Sequence, residues 1–175
     1  INDFSNAQYA FAQVRKLRAS DGLLAPAMYR EGIAMYHLGR FRSSEELLGD
    51  FLKQYPTGPN ATDALLWRAE ALYQDGRFDD AERAFSGAAA TLTDGPHKAT
   101  AEYGSAWCLF EQQKFAGAAT AFERFSRQHA DDPRTAEADL RRADCYFFLG
   151  QYDRSSALYA ALAEGGKGGQ YGEYA

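Results

Sequence analysis

Three histidines and two cysteines are the first residues of this chain to consider for metal binding or catalysis. His37, His97 and His129 lie far apart, and no two of them share the short spacing that metal ligands show on one helix or loop. The sequence also lacks the motifs of serine hydrolases, zinc peptidases and nucleotide-binding loops. We therefore predict that the chain is not an enzyme and has neither a metal site nor a cofactor.

The two cysteines, Cys108 and Cys145, are 37 residues apart, a spacing that recurs throughout the chain. Equivalent positions on neighbouring packed repeats lie about 8–10 Å apart, whereas a disulfide needs Cα atoms within about 7 Å. Buried free thiols are therefore the favoured interpretation, and a disulfide is the alternative.

The segment Asn60-Ala61-Thr62 matches the acceptor motif for N-glycosylation. The same residues can also begin a helix, with Asn60 as the N-cap and Asp63 in the first turn. We favour the helix start.

Composition limits the kinds of partner and the kinds of chain. The 19 Lys and Arg against 24 Asp and Glu give a net charge of −5, which argues against a nucleic-acid partner. Hydrophobic residues make up 46% of the chain, which excludes intrinsic disorder. No apolar run approaches the roughly 18 residues that span a bilayer. Because the sequence begins at Ile1 rather than Met, we expect a fragment or a processed form.

A short motif recurs every 37 residues. A turn residue is followed two positions later by an aromatic residue and five positions later by a small residue. Copies begin at Gly39, Gly76, Gln113 and Gly150, and Asn2 begins a fifth. Other columns keep the same period, including Pro59, Pro96 and Pro133, so we predict a repeat protein.

Each repeat has the pattern of two helices. In one repeat, apolar residues at helical spacing run from about Thr62 to Asp75, Gly76 can cap the helix end, and a second apolar face starts at Phe78. Small residues occupy the columns where the paired helices must approach closely: Gly32, Ala69, Ala106 and Ala143 on the first helix, and Ala7, Ser44, Ala81, Ala118 and Ser155 on the second. The predicted fold class is all-α.

We predict one array over residues 1–164. It consists of an orphan second helix at 2–20 and units at about 25–61, 62–98, 99–135 and 136–164. The glycine-rich residues 165–175 are predicted to be a linker or the start of a further repeat.

A helix pair with this motif, followed by proline, resembles the tetratricopeptide repeat (TPR) family over nearly all of residues 2–164. The resemblance implies a right-handed superhelix of helix pairs with a concave groove. Residues 54–66, and the first-helix residues Tyr29, Gly32 and Tyr36, are similar to the variant found in the Tol-Pal-associated periplasmic protein and the outer-membrane-assembly lipoprotein of bacteria. This similarity implies a periplasmic or cell-envelope location.

The resemblance supplies the concave face, and the repeat columns supply its residues. They are Arg30, Ile33, His37, Asp63, Trp67, Glu70, Gln74, Trp107, Glu111, Arg141, Asp144 and Phe148. Large apolar groups on a wet surface are typical of binding sites, although the tryptophans could instead be partly buried between repeats. Since acids exceed bases on this face, we expect a partner with some positive charge.

The leading hypothesis is a non-catalytic scaffold of the bacterial cell envelope that binds a protein or an extended peptide in its concave groove. The alternative is a TPR interaction module of a larger multidomain protein, such as a regulator or an enzyme. We also expect self-association through the exposed ends of the array.

Overall fold

The computed structural model describes residues 3–17 and 20–164. These residues form nine α-helices and no strand, so the prediction of an all-α fold is confirmed. The helices are α1 (Phe4–Lys16), α2 (Asp21–His37), α3 (Phe41–Gln54), α4 (Ala61–Gln74), α5 (Phe78–Thr91), α6 (Pro96–Glu111), α7 (Phe115–Gln128), α8 (Thr135–Phe148) and α9 (Tyr152–Glu164). The predicted linker at 165–175 lies outside the described residues.

The helices alternate as the repeat pattern predicts. First helices α2, α4, α6 and α8 are followed by second helices α3, α5, α7 and α9, and α1 corresponds to a second helix. One start differs, because α2 begins at Asp21, four residues before the predicted start of its unit, and includes Pro26. Pro26 cannot donate a hydrogen bond to the carbonyl of Gly22, yet α2 continues through it to His37. None of the described helices has the length and apolar character needed to cross a membrane.

A turn joins the two helices of each pair, and the four turns are nearly identical. Gly39, Gly76 and Gly150 have φ of 72°, 75° and 72°, and Gln113 occupies the same column with φ of 57°. In each turn the N–H of the next residue donates to the carbonyl five residues before it, at 2.9–3.0 Å. This bond closes a Schellman-type helix end, which requires the left-handed backbone that glycine adopts at least cost.

Contacts divide the chain into two compact units, residues 1–98 and 99–175. In the first unit each of α1 to α4 packs against the helix that follows it. The core of this unit contains Met28, Leu47, Leu48, Phe51 and Ala64, and Trp67 packs against its edge.

In the second unit α8 packs against both α7 and α9. Its core joins small residues of α6 and α8 to Phe122 and Phe125 of α7, both of which are completely buried. Tyr103, Trp107 and Phe110 of α6 pack against this core and keep part of their surface exposed.

The predicted small-residue columns lie at close helix contacts. Ser44 Oγ donates a hydrogen bond to the carbonyl of Gly32 at 2.8 Å, which joins α3 to α2. Ser155 Oγ makes the equivalent bond to the carbonyl of Ala143 at 2.9 Å, which joins α9 to α8. All four residues are buried, so a larger side chain at any of them would separate the two helices of its pair.

Candidate functional site

The predicted surface residues lie on the four first helices. Arg30, Ile33 and His37 are on α2, Asp63, Trp67, Glu70 and Gln74 are on α4, Trp107 and Glu111 are on α6, and Arg141, Asp144 and Phe148 are on α8. The first seven belong to the first compact unit and the last five to the second. Within each unit these residues lie on two first helices, α2 and α4 in the first unit and α6 and α8 in the second.

Trp67 lies at the centre of an aromatic group in the first unit. Its ring centroid is 5.0 Å from that of Tyr36 and 5.6 Å from that of His37, both on the neighbouring first helix. His37 in turn stacks on Phe4 of α1, with centroids 4.4 Å apart and planes 17° apart. We call Phe4, Tyr36, His37 and Trp67 the Trp67 cluster. It joins three helices and is only partly buried, since His37 is exposed.

Glu70, one turn after Trp67, adds a carboxylate beside this cluster. Its Oε1 accepts hydrogen bonds from Tyr36 Oη at 3.2 Å and from Gln74 Nε2 at 2.9 Å. Burial, reinforced by the negative charge of Glu70, raises the pKa of Tyr36 to about 12. In the part of the chain that the structure describes, no cation pairs with Glu70 and none lies over the Trp67 ring.

Asp63 lies at the other end of α4, and an imidazole pairs with it. Its Oδ1 is 2.9 Å from Nε2 of His97, near the start of α6. Burial, with the charge of Asp63 beside it, raises the pKa of Tyr29. Asp63 and His97 line an open polar cleft of about 320 Å³ with the loop residues that precede α4 and α6.

The tryptophan of the second unit has a different environment. Trp107 meets Phe122 edge-on, with centroids 6.1 Å apart, and the guanidinium of Arg141 lies 5.1 Å from the centre of its ring. Arg141 Nη1 also donates to Asp144 Oδ2 at 2.7 Å, and Tyr159 Oη donates to the other oxygen of Asp144. Arg141 and Asp144 are therefore paired within the chain, although Nε of Arg141 is buried without a hydrogen-bond partner among the described residues.

Phe148 is the last of the predicted surface residues in the second unit. It is 57% exposed and stacks on Phe115 of α7 with centroids 4.7 Å apart. Beyond it, Phe147, Leu149 and Tyr152 are also exposed, so an apolar patch surrounds the turn between α8 and α9. Glu111 is exposed, as is Arg30 in the first unit, and Ile33 is half-buried.

Contacts between first helices reveal residues that the sequence interpretation missed. Three of these contacts join residues that are 34 positions apart rather than 37: Tyr36 with Glu70, Asp63 with His97, and Thr100 with Arg134. Side chains on one first helix therefore meet those about one turn earlier in the next repeat. Four further residues therefore contribute to the site. Tyr36 and His97 do so through these contacts between first helices, and Phe4 and Tyr159 do so from second helices. A tyrosine and an acid 34 residues apart, as in Tyr36 and Glu70, could have revealed one of them.

The other residues considered for chemistry have structural roles. Cys108 and Cys145 are buried free thiols, which confirms that prediction. Asn60 stands at the N-cap of α4, but its side chain makes no capping hydrogen bond. Its φ of 68° is the reason, since an N-cap side chain reaches the first turn from extended backbone. Among residues 3–17 and 20–164, no three His, Cys, Asp or Glu side chains are grouped to hold a metal ion.

Solved structures with this fold include three from different organisms. A kinesin-light-chain-type protein of Podosopora anserina with nearly identical TPR-like repeats gives a TM-score of 0.76 at 16% identity, over 95% of this chain and 88% of that one. MamA of Desulfovibrio magneticus RS-1 gives 0.67 at 12%, over 94% and 95%. Bacillus thuringiensis PlcR, solved in complex with the peptide PapR7 and DNA, gives 0.66 at 12%, over 91% and 62%. At such identities the likeness shows the fold alone.

Sequence comparison identifies the family. The sequence matches no curated protein. The family model described as tetratricopeptide repeat matches residues 29–96, 75–128 and 103–169, which together cover far more than half of the chain. These matches begin in α2 and continue beyond the end of α9, so they include all four helix pairs. The chain therefore belongs to the tetratricopeptide repeat family.

Proposed function

We propose that this chain is a non-catalytic interaction module that binds a protein or an extended peptide on the exposed faces of its first helices. TPR proteins bind proteins or peptides, and the family assignment makes that class of function the expected one. The observation that supports the site is the Trp67 cluster, where four aromatic rings on three helices leave part of their surface open beside Glu70. Tryptophan and tyrosine are among the residue types enriched in binding hot spots.

We further propose a bacterial periplasmic or cell-envelope location. Its support is the similarity of residues 54–66, and of Tyr29, Gly32 and Tyr36, to the repeats of envelope proteins. Gly32 lies in the tight α2–α3 contact, and Tyr29 and Tyr36 face the neighbouring first helix. Tagging the full-length protein in cells and separating periplasm from cytoplasm tests this location, and recovery in the cytoplasmic fraction contradicts it.

A second candidate is an interaction module within a regulator. PlcR has this fold, and its structure contains both a peptide and DNA. The present chain aligns with 62% of PlcR, so a comparable regulator would need a further segment. The net charge of −5 disfavours contact with nucleic acid by these residues themselves. A DNA-binding or catalytic domain in the full-length protein would favour this candidate over the envelope scaffold.

We also propose self-association through the ends of the array. Tyr9, 65% exposed, lies on α1, and Tyr152, 62% exposed, lies on α9, the first and the last of the described helices. Apolar groups left open in this way favour association between chains. Light scattering over a concentration series should show a mass that rises above 19.4 kDa, and a strict monomer contradicts the proposal.

The binding proposal is tested by capturing a partner with the wild-type chain and then measuring its affinity with purified components. A double variant, Trp67→Ala with Trp107→Ala, should bind at least about thirtyfold more weakly, since a buried tryptophan anchor contributes about 2 kcal/mol or more. Tyr9→Ala is the matched control, because it removes an exposed aromatic side chain from a second helix. If the folded double variant binds as tightly as the control, the first-helix surface is not the site.

A further inference from the structure

The second unit contains a site that holds a guanidinium, and its occupant belongs to the chain itself. Arg141 lies over the Trp107 ring at 5.1 Å and pairs with Asp144 at 2.7 Å, while the Tyr159 hydroxyl holds the second oxygen of that carboxylate. Ring, carboxylate and phenol together provide a π face, a counter-charge and a fixed orientation for a planar cation.

Among its described residues, the first unit contains the same three kinds of group without a cation between them. Trp67 provides the ring, Glu70 the carboxylate and Tyr36 the phenol that donates to it. Trp67 and Glu70 are three residues apart on α4, so they project from one side of the helix. They occupy the same repeat columns as Arg141 and Asp144, which are also three residues apart. The repeat column that contains Arg141 in α8 therefore contains Trp67 in α4.

The carboxylate of Glu70 has capacity for a further bond. Both of its hydrogen bonds, from Tyr36 and Gln74, are made to Oε1. Among the residues that the structure describes, Oε2 has no hydrogen-bond partner, and the side chain is partly exposed. An arginine from outside could therefore donate to Oε2 while its plane packs on the exposed part of the aromatic cluster.

We propose that the Trp67 cluster and Glu70 form a binding site for an arginine side chain of the partner. This inference rests on the proposed function, because it names the chemistry by which the first-helix surface would select its peptide. Arginine fits better than lysine, since a guanidinium can both stack on a ring and bond a carboxylate through its planar edge. The preference for positive charge then resides in Glu70, because Asp144 is neutralised by Arg141.

The experiment follows the indole N–H signals of the two tryptophans by NMR while the chain is titrated with N-acetyl-arginine amide. The signals are assigned with Trp67→Phe. We expect the Trp67 signal to move with millimolar affinity while the Trp107 signal stays in place, because Arg141 already occupies that ring. The neutral isostere N-acetyl-citrulline amide should leave both signals unchanged. Equal shifts with citrulline, or no shift of Trp67 with arginine, overturn the proposal.

Two charge-matched variants test the carboxylate. Glu70→Gln keeps the size of the side chain and an acceptor for Tyr36, and it should weaken arginine binding by at least about threefold. Glu46→Gln removes one exposed acid from α3 and should leave binding unchanged. Equal effects of the two variants show that arginine responds only to net charge, which overturns the proposal. A purified partner that depends on Trp67 but binds Glu70→Gln normally would preserve the proposed function and reject the arginine site alone.

Discussion

The side chain of Leu48 fills the space beside Gly32, so that a β-carbon on residue 32 would lie 2.7 Å from Leu48 Cγ. Leu48 is completely buried, and Ser44, one turn before it, donates to the carbonyl of Gly32 at 2.8 Å. The close contact between α2 and α3 therefore depends on the absence of a side chain at residue 32. The other three pairs have alanine in this column, so they accommodate a β-carbon for which the first pair leaves no room.

Gly32→Ala should lower the free energy of unfolding by about 1–3 kcal/mol, because Leu48 must leave its rotamer or the helices must separate. Urea unfolding followed by circular dichroism measures the change. Gly87→Ala is the matched control, since Gly87 lies in α5 and an added β-carbon there would have no atom within 4 Å. At residue 87 alanine should raise the free energy of unfolding by up to about 1 kcal/mol, because alanine has a higher helix propensity than glycine. Equal free energies of unfolding for the two variants would contradict the close contact between Gly32 and Leu48.

The turns between paired helices give a second prediction. Gln113 adopts φ of 57°, which costs a residue with a side chain about 1–2 kcal/mol. Gln113→Gly should therefore stabilise the chain by about 0.5–1 kcal/mol, part of the gain being offset by the greater freedom of glycine in the unfolded chain. Thermal unfolding measures this change.

The reverse substitution is the control for the turn. Gly76 has φ of 75°, and no atom lies within 4 Å of an added β-carbon, so Gly76→Ala tests backbone conformation alone. It should destabilise the chain by about 1 kcal/mol. If Gln113→Gly and Gly76→Ala change stability in the same direction, the left-handed turn is not the cause.

The 37-residue period predicts the helix pairs, their turns and the small-residue columns, because packing inside one pair repeats with the sequence. It does not predict how neighbouring first helices are offset. Tyr36 meets Glu70 and Thr100 meets Arg134 at a separation of 34 residues, which shifts the contact by about 4.5 Å along the helix. That shift depends on the crossing angle of two packed helices, which a repeat period does not encode.

The charges of the candidate site are only partly predictable for a related reason. The expected positive partner rests on an excess of acids on the predicted face that includes Asp144, yet Arg141, three residues before it on the same helix, pairs with it. This pairing could have been foreseen, since residues three apart are neighbours on a helix. The pairing of Asp63 with His97 could not, because it joins two helices across the 34-residue offset.

The buried thiols give a third prediction. Cys108 and Cys145 are completely buried, and burial raises the pKa of Cys145 to about 12. Neither thiol should react with Ellman's reagent in the native chain, and both should react once it unfolds in urea. The control is Ala116→Cys, an exposed position at the start of α7 that should react at once. Rapid reaction of either natural cysteine in the folded chain would show that its helix contacts open.

The bond between Tyr36 and Glu70 predicts a loss of stability at alkaline pH. Tyrosine in the unfolded chain ionises near its ordinary pKa of 10.0, whereas the pKa of Tyr36 in the folded chain is about 12. Between these values the unfolded chain has released a proton that the folded chain retains, so the free energy of unfolding falls as the pH rises. Below about pH 10 both states keep the proton, and the contribution of Tyr36 is fully present.

Absorbance at 295 nm measures the phenolate, and urea unfolding at several alkaline pH values measures the stability. In Glu70→Gln the pKa of Tyr36 should fall towards 10 without reaching it, because burial is the largest cause of the shift and the charge of Glu70 comes second. The alkaline loss of stability should then be smaller than in the wild type, since less proton is retained on folding. Glu46→Gln, which removes an exposed acid from α3, should titrate like the wild type. Identical titrations of the two variants would show that Glu70 does not hold the Tyr36 hydroxyl in solution, and the carboxylate side of the arginine site would lose its support.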